Sequence, residues 1–260
     1  MSLPGIKPLK NLLYGAVAHR TGLRLIAESE PADVFIVGFP KSGHTWFQYL
    51  TAVLLYGVDP ARCPDSLVND LVPDIDDRPL YRRHAEPMLF KSHELPERRY
   101  RRVIYLLRDG RDAMVSYFHH ACALWGPQDF TAVVREPPRL PAKWHEHVEA
   151  WLANPYQAEM LIVRYEDLRR DTVGQLERIC AFLGRTETRE RLAAVTEATS
   201  FANLRAREQR LGWEASQWPK DKSFVRRGVV GSFRDEMPPA ALALFLAEAE
   251  PTLRKLNYPL

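Results

Sequence analysis

The apolar run Val34-Phe35-Ile36-Val37-Gly38 breaks at Pro40 and passes through Lys41-Ser42-Gly43 into His44-Thr45-Trp46, the pattern of a buried strand that turns sharply into a helix. Such a turn aims backbone N–H groups and the positive end of the helix dipole at one point, where an anion belongs. In the ATP- and GTP-binding version of this loop, G-x-x-x-x-G-K-[ST], the lysine follows the second glycine. Here Gly38 and Gly43 keep the glycine spacing, but His44 stands where that lysine would be, and Lys41 comes from the middle of the turn. Taken alone, the segment reads equally well as a strand-to-helix turn with a solvated lysine.

A second apolar run, Val103-Ile104-Tyr105-Leu106-Leu107, leads through Arg108-Asp109-Gly110 into a helical pattern that carries Ser116. Arg108 stands at the carboxyl end of its strand, the edge where open parallel sheets place ligands. Farther on, Arg226-Arg227-Gly228-Val229-Val230-Gly231 sets two guanidinium groups beside glycines, an arrangement suited to a second phosphate. Two anion sites imply a ligand with phosphates at two ends. His93 follows the short apolar run Leu89-Phe90 and therefore reaches the same sheet edge as Lys41, where an imidazole could take a proton.

With these segments in order, the chain resembles the soluble, single-domain sulfotransferases that use 3′-phosphoadenosine 5′-phosphosulfate. The family's P-K-S-G-T-T-W loop is similar to Pro40–Trp46, with His44 replacing the first threonine. Its 3′-phosphate motif is similar to Arg108, Asp112, Val115, Ser116 and Tyr117, and its R-K-G-x-x-G-D-W-K element to residues 226–234. Ile162-Val163-Arg164-Tyr165-Glu166-Asp167-Leu168 resembles the Y-E-D-L segment, and Thr199-Ser200-Phe201 the T-S-F element. The K-T-H-x-P element is similar at Lys91-Ser92-His93, although Pro96 comes one residue late. The family's K-x-x-x-T-V-x-x-x-E dimer motif has no match after Arg234.

The resemblance implies roles for these residues. Lys41, Ser42, Gly43, His44, Thr45 and Trp46 would hold the donor's 5′ end. Arg108, Ser116, Arg226, Arg227 and Gly228 would hold its 3′-phosphate, and Tyr165, Thr199 and Phe201 its adenine. His93 would act as base, Lys41 would stabilise the leaving bridging oxygen, Ser116 would complete the catalytic set, and Lys91 would assist near the sulfuryl group. No metal is implied. The acceptor would be a small molecule, carbohydrate or lipid-like compound offering a hydroxyl or amine. Its walls are sought in residues 61–87, in Trp125 and Phe130, and in the segment 205–225 with Trp213 and Trp218.

Composition is compatible with this reading. A chain of 260 residues with 46% hydrophobic content buries one substantial core, and a net charge of +3 lacks the basic density of a nucleic-acid binder. Cys63, Cys122 and Cys180 are odd in number and without metal-ligand spacing, so they read as reduced thiols of a cytoplasmic protein. Met1–Arg24 supports neither a signal peptide nor a membrane span. His119-His120, His145 and His147 make no complete ligand set.

The expected fold is α/β: a P-loop-containing three-layer α/β/α sandwich with a central parallel sheet. Strands are read at 34–38, 88–92, 102–107 and 160–164. Helices are read at 43–56, 110–121, 141–153, 171–184, 188–197 and 239–256, with 57–87 irregular. A single domain is expected over 1–260, with 1–32 as a helical extension packed on it. Two other functions stay open on sequence grounds: a P-loop kinase or nucleotide hydrolase, and a non-catalytic module binding adenosine bisphosphate.

Overall fold

The computed structural model describes Tyr14, residues 17–214 and residues 218–260. Of the expected 1–32 extension, residues 1–13, 15 and 16 fall outside these residues. Residues 17–21 are helical, and β1 (Arg24–Leu25) pairs antiparallel with β3 (Leu80–Tyr81), a small ribbon that nothing in the sequence pattern announced.

The main sheet contains β2 (Val34–Val37), β4 (Leu89–Ser92), β5 (Arg102–Leu107) and β6 (Glu159–Arg164), ordered β4-β2-β5-β6 and parallel throughout. All four residues of β2 are inaccessible to solvent, which explains why the segment reads as an unbroken apolar run. Alternation across the pleat then sorts the side chains. Phe35, Val37, Phe90, Val103, Tyr105 and Leu107 face one core, shared with helices Gly110–Trp125, Trp144–Ala153 and Pro239–Lys255. Val34, Ile36, Leu89, Ile104, Leu106 and Val163 face the other, shared with helices His44–Tyr56, Thr172–Phe182 and Arg189–Ala198. The result is a three-layer α/β/α sandwich whose phosphate-loop turn joins β2 to its helix.

Strand and helix bounds agree with expectation to within a few residues, and the differences have local causes. The stretch 57–87 contains the helix Asp65–Leu71, which is only two turns long and buries just Asp65 and Val68, so it shows no periodic stripe. Phe130–Arg135 is equally short. The segment 205–225 begins inside the helix Phe201–Leu211, whose buried residues are Leu204, Arg207 and Glu208. Two of the three are charged, because Arg207 pairs with Asp65 at 2.9 Å and donates to the Cys63 carbonyl. No helix among the described residues is long and apolar enough to cross a membrane.

One buried ion pair ties the chain's end to the sheet edge. Arg111 is 1% exposed; its guanidinium donates to Asp109 at 3.0 and 2.7 Å and to the Pro259 carbonyl at 2.6 Å, and lies 4.0 Å from the centroid of Phe233. Replacing Arg111 by Ala leaves the Asp109 carboxylate buried without its partner. Denaturant titration should show a loss of about 3–5 kcal/mol; a loss under about 1 kcal/mol would show the pair to be dispensable.

Candidate active site

Because the four strands are parallel, their carboxyl ends deliver side chains to a single edge. There Lys41, His44, Thr45, Trp46, His93, Arg108 and Tyr165 line a cavity of about 900 Å³, together with Ser116, Phe201, Arg226, Arg227 and Gly228. Segments separated by up to about two hundred residues thus share one wall.

The phosphate-loop turn is held open by backbone geometry. Lys41 has φ 70°, a left-handed conformation uncommon for a residue with a side chain, and Gly43 has φ 101°. A Cβ on Gly43 would come within 2.8 Å of the Tyr165 ring, so glycine is required by both conformation and space. No side chain caps the helix His44–Tyr56 that follows, and its first amides remain available as anion donors. Arg108 locks the turn in place. Its Nη1 donates to the Lys41 carbonyl at 2.9 Å, and its guanidinium lies 4.4 Å from the centroid of Tyr165.

The Lys41 ammonium lies 3.4 Å from Nδ1 of His120 and 4.7 Å from the centroid of Phe224. Burial in the cavity wall, followed by repulsion from Lys91, Arg108 and Arg226, lowers it to about 7. Burial, with Lys41 and Lys91 near, likewise lowers His120 to about 3.

A single carboxylate brings the arginine segment to the Ser116 helix. Asp112, 1% exposed, accepts from the amides of Gly231 at 2.6 Å and Phe233 at 2.9 Å and from the Ser232 hydroxyl at 3.2 Å. Arg226 and Arg227 then reach the cavity, where Glu236 accepts from one nitrogen of each at 2.5 and 2.9 Å. His119 lies 2.8 Å from the same carboxylate.

His93 is fixed on several sides. A carbonyl only accepts, so the 2.9 Å contact with Gly38 O places the ring proton on Nδ1 and leaves Nε2 with a lone pair. The His93 amide donates to Asp76 at 3.0 Å, its carbonyl accepts from His147 Nε2 at 3.0 Å, and the Glu94 carbonyl accepts from Trp151 at 3.0 Å. His147 itself, fully buried, accepts from Tyr105 at 3.0 Å. Burial and the neighbouring Lys91 hold His93 at about 3, so it is neutral across ordinary pH, although Asp74 pulls in the opposite direction. Lys91 pairs with Asp74 at 2.5 Å.

Several sequence expectations need correction. Ser42 does not reach the cavity; it is 2% exposed, and its amide turns back to the Phe39 carbonyl at 3.2 Å. Thr199 is not on the wall either. Its hydroxyl donates to Val195 O at 2.7 Å within the preceding helix, and its carbonyl accepts from Trp46 Nε1 at 3.0 Å. Phe130 lies in the core, stacked on Phe118, and Trp218 stacks on His120 behind the wall. Lys91, Trp125 and Trp213 do line the cavity. Sequence reasoning missed Tyr49 and Arg139 on the wall and His147 behind His93, and it gave His120, which is on the wall, only as packing or acceptor contact. A signal existed for His120, four residues after Ser116 and so on the same helix face.

Residues 31–256 match the family model described as the sulfotransferase domain. The chain belongs to the sulfotransferase family. Curated relatives of this sulfotransferase include sulfotransferase 1E1 of Mus musculus, 23% identical over 82% of the chain and 80% of that protein. The amine sulfotransferase of Oryctolagus cuniculus is 24% identical over 79% of the chain and 75% of its own length. Among solved structures, a retinol dehydratase in complex with androsterone and the inactive cofactor PAP aligns with TM-score 0.69 at 21% identity, covering 89% of this chain and 83% of that one. Mouse sulfotransferase SULT7A1 complexed with PAP aligns with TM-score 0.62 at 20% identity, covering 88% and 89%. At these identities the structures show a shared fold.

Removing the Asp112 carboxylate should loosen the arginine segment. In Asp112→Ala three donors lose their acceptor, and native-state trypsin cleavage after Arg226 or Arg227 is expected to speed up about tenfold as the segment opens locally. Unchanged cleavage would mean that other contacts hold the segment.

Proposed function

We propose that this sulfotransferase moves the sulfuryl group of 3′-phosphoadenosine 5′-phosphosulfate to a hydroxyl or amine of a small-molecule, carbohydrate or lipid-like acceptor, with His93 as base. The carrying observation is that one cavity unites the phosphate-loop turn, the Arg108–Ser116 segment, the Arg226–Gly228 segment and His93. The residues fit such a donor. The uncapped helix start and Lys41 suit its 5′ end, while Arg108, Ser116, Arg226 and Arg227 suit its 3′-phosphate, and the buried Arg108 Nε lacks a partner. Tyr165 and Phe201 offer ring faces to an adenine. When bound, the donor supplies the group to be transferred and a bisphosphate leaving group.

The chain's own part is positioning and charge. His93 Nε2 receives the acceptor's proton, and Lys41 neutralises charge that develops on the leaving oxygen. Lys91, held by Asp74, adds a second cation beside His93. Tyr49, Tyr117, Trp125, Trp213 and Phe224 line the remaining wall, which favours an acceptor with a flat apolar body. The androsterone and retinol named with the structural neighbours are molecules of that kind. We place the protein in the cytoplasm as one catalytic domain, with its three cysteines as unpaired thiols.

His93→Ala should lower transfer by about 10²–10⁴-fold with affinity for 3′,5′-adenosine bisphosphate intact. Near-normal turnover would remove His93 as base. ATP with magnesium bound in preference to the bisphosphate would instead favour the kinase reading.

Lys41 gives a pH signature. A bound anion favours the ammonium, so binding takes up a proton wherever free Lys41 is already neutral, above about 7. Bisphosphate affinity should therefore fall as pH rises from about 7.5 to 9, after the phosphates themselves are fully charged. Calorimetry in buffers of different ionisation enthalpy measures the uptake, and Lys41→Arg should abolish it.

A further inference from the structure

His44 belongs to the loop expected to hold the donor's 5′ end, but its ring has no assigned chemistry and is under unusual constraint. It is 4% exposed, and both ring nitrogens are buried without a hydrogen-bond partner. The other buried imidazoles nearby are engaged: His147 through both nitrogens, His93 through Nδ1. An unpartnered buried polar group is destabilising, and native interiors contain few of them. An aliphatic side chain would avoid that cost, so the imbalance points to a partner that arrives with a ligand.

Position says which part of the ligand. The His44 ring meets the His93 ring edge-on with centroids 4.3 Å apart, and its Cε1 lies 3.0 Å from where a Cβ on Gly38 would stand. It therefore sits on the His93 side of the loop, whereas the helix amides and Lys41 serve the phosphate. Burial, then the charges of His93 and Lys91, hold the ring well below the usual imidazole range, so it is neutral and carries one N–H. In-line transfer requires the moving group to lie between a leaving oxygen near Lys41 and an acceptor oxygen near His93.

Given the donor reading above, we infer that His44 is a further binding residue for the sulfuryl group, its ring N–H donating to a sulfuryl oxygen. The loop amides hold the phosphate, and His44 adds contact to the part that leaves it. His44 thus favours the loaded donor over the spent bisphosphate.

Calorimetry on the full chain without acceptor tests this, comparing 3′,5′-adenosine bisphosphate, which lacks the sulfuryl group, with the phosphosulfate donor. His44→Phe keeps a ring against His93 and removes both nitrogens; it should bind bisphosphate like wild type but the donor about tenfold more weakly. Turnover should also fall, by about 10²-fold. His44→Gln, which restores an N–H, should recover most of the difference and covers the case in which the phenylalanine variant misfolds. Equal loss for both ligands would overturn the inference in favour of a phosphate contact, and no loss for either would reduce His44 to packing. Wild type that binds neither ligand would overturn the donor reading itself.

Discussion

The buried carboxylate of Asp112 is the interaction on which the site's assembly depends. Its three hydrogen bonds to residues 231–233 join a helix that begins at the sheet edge to a segment more than a hundred residues later. Together with the His119–Glu236 contact, that junction brings Ser116 and the arginines to one surface. The donors are the Gly231 and Phe233 amides and the Ser232 hydroxyl, and the buried Phe233 ring adds packing against the Arg111 guanidinium. The same helix start holds Asp109 and Arg111, which anchor the chain's end through Pro259. One turn of helix therefore organises both the ligand edge and the closing of the fold.

The phosphate-loop turn is fixed from the opposite direction. Arg108 ties the Lys41 carbonyl to the Tyr165 ring, and Tyr165 in turn fills the space left by Gly43. Left-handed backbone at Lys41 is tolerated because its surroundings hold it on both sides. His93 shows the same principle: three backbone or ring contacts fix one imidazole, so the protein itself sets the direction of its free nitrogen.

The sheet and the phosphate-loop turn were legible because continuous apolar strands and glycine spacing follow from backbone requirements that any sequence must meet. Arg108 stands out because it follows the end of a buried strand, Ser116 because it lies on the helix that comes next, and Arg226-Arg227 because paired cations adjoin a glycine outside any helix or strand. Thr199 lies off the wall because spacing fixes where a residue sits and not where its polar atoms find partners, and Ser42 is simply buried beneath the turn. Thr199 finds its own helix four residues back, a local bond that competes with any ligand. The helix Phe201–Leu211 was missed since Arg207 and Glu208 occupy its inner face, and a charged inner face leaves no apolar period. His147 was invisible as a support for His93 because that relation exists only across the fold.

Glu236 gives the arginine segment a character that counting cations does not convey. Two guanidinium groups share one carboxylate, so the Arg226-Arg227 pair carries about one net unit of positive charge in place of two. Any anion that approached the pair would compete with a carboxylate already seated, so Glu236 acts as an internal counterion that weakens the pull of the two arginines on negative charge in general.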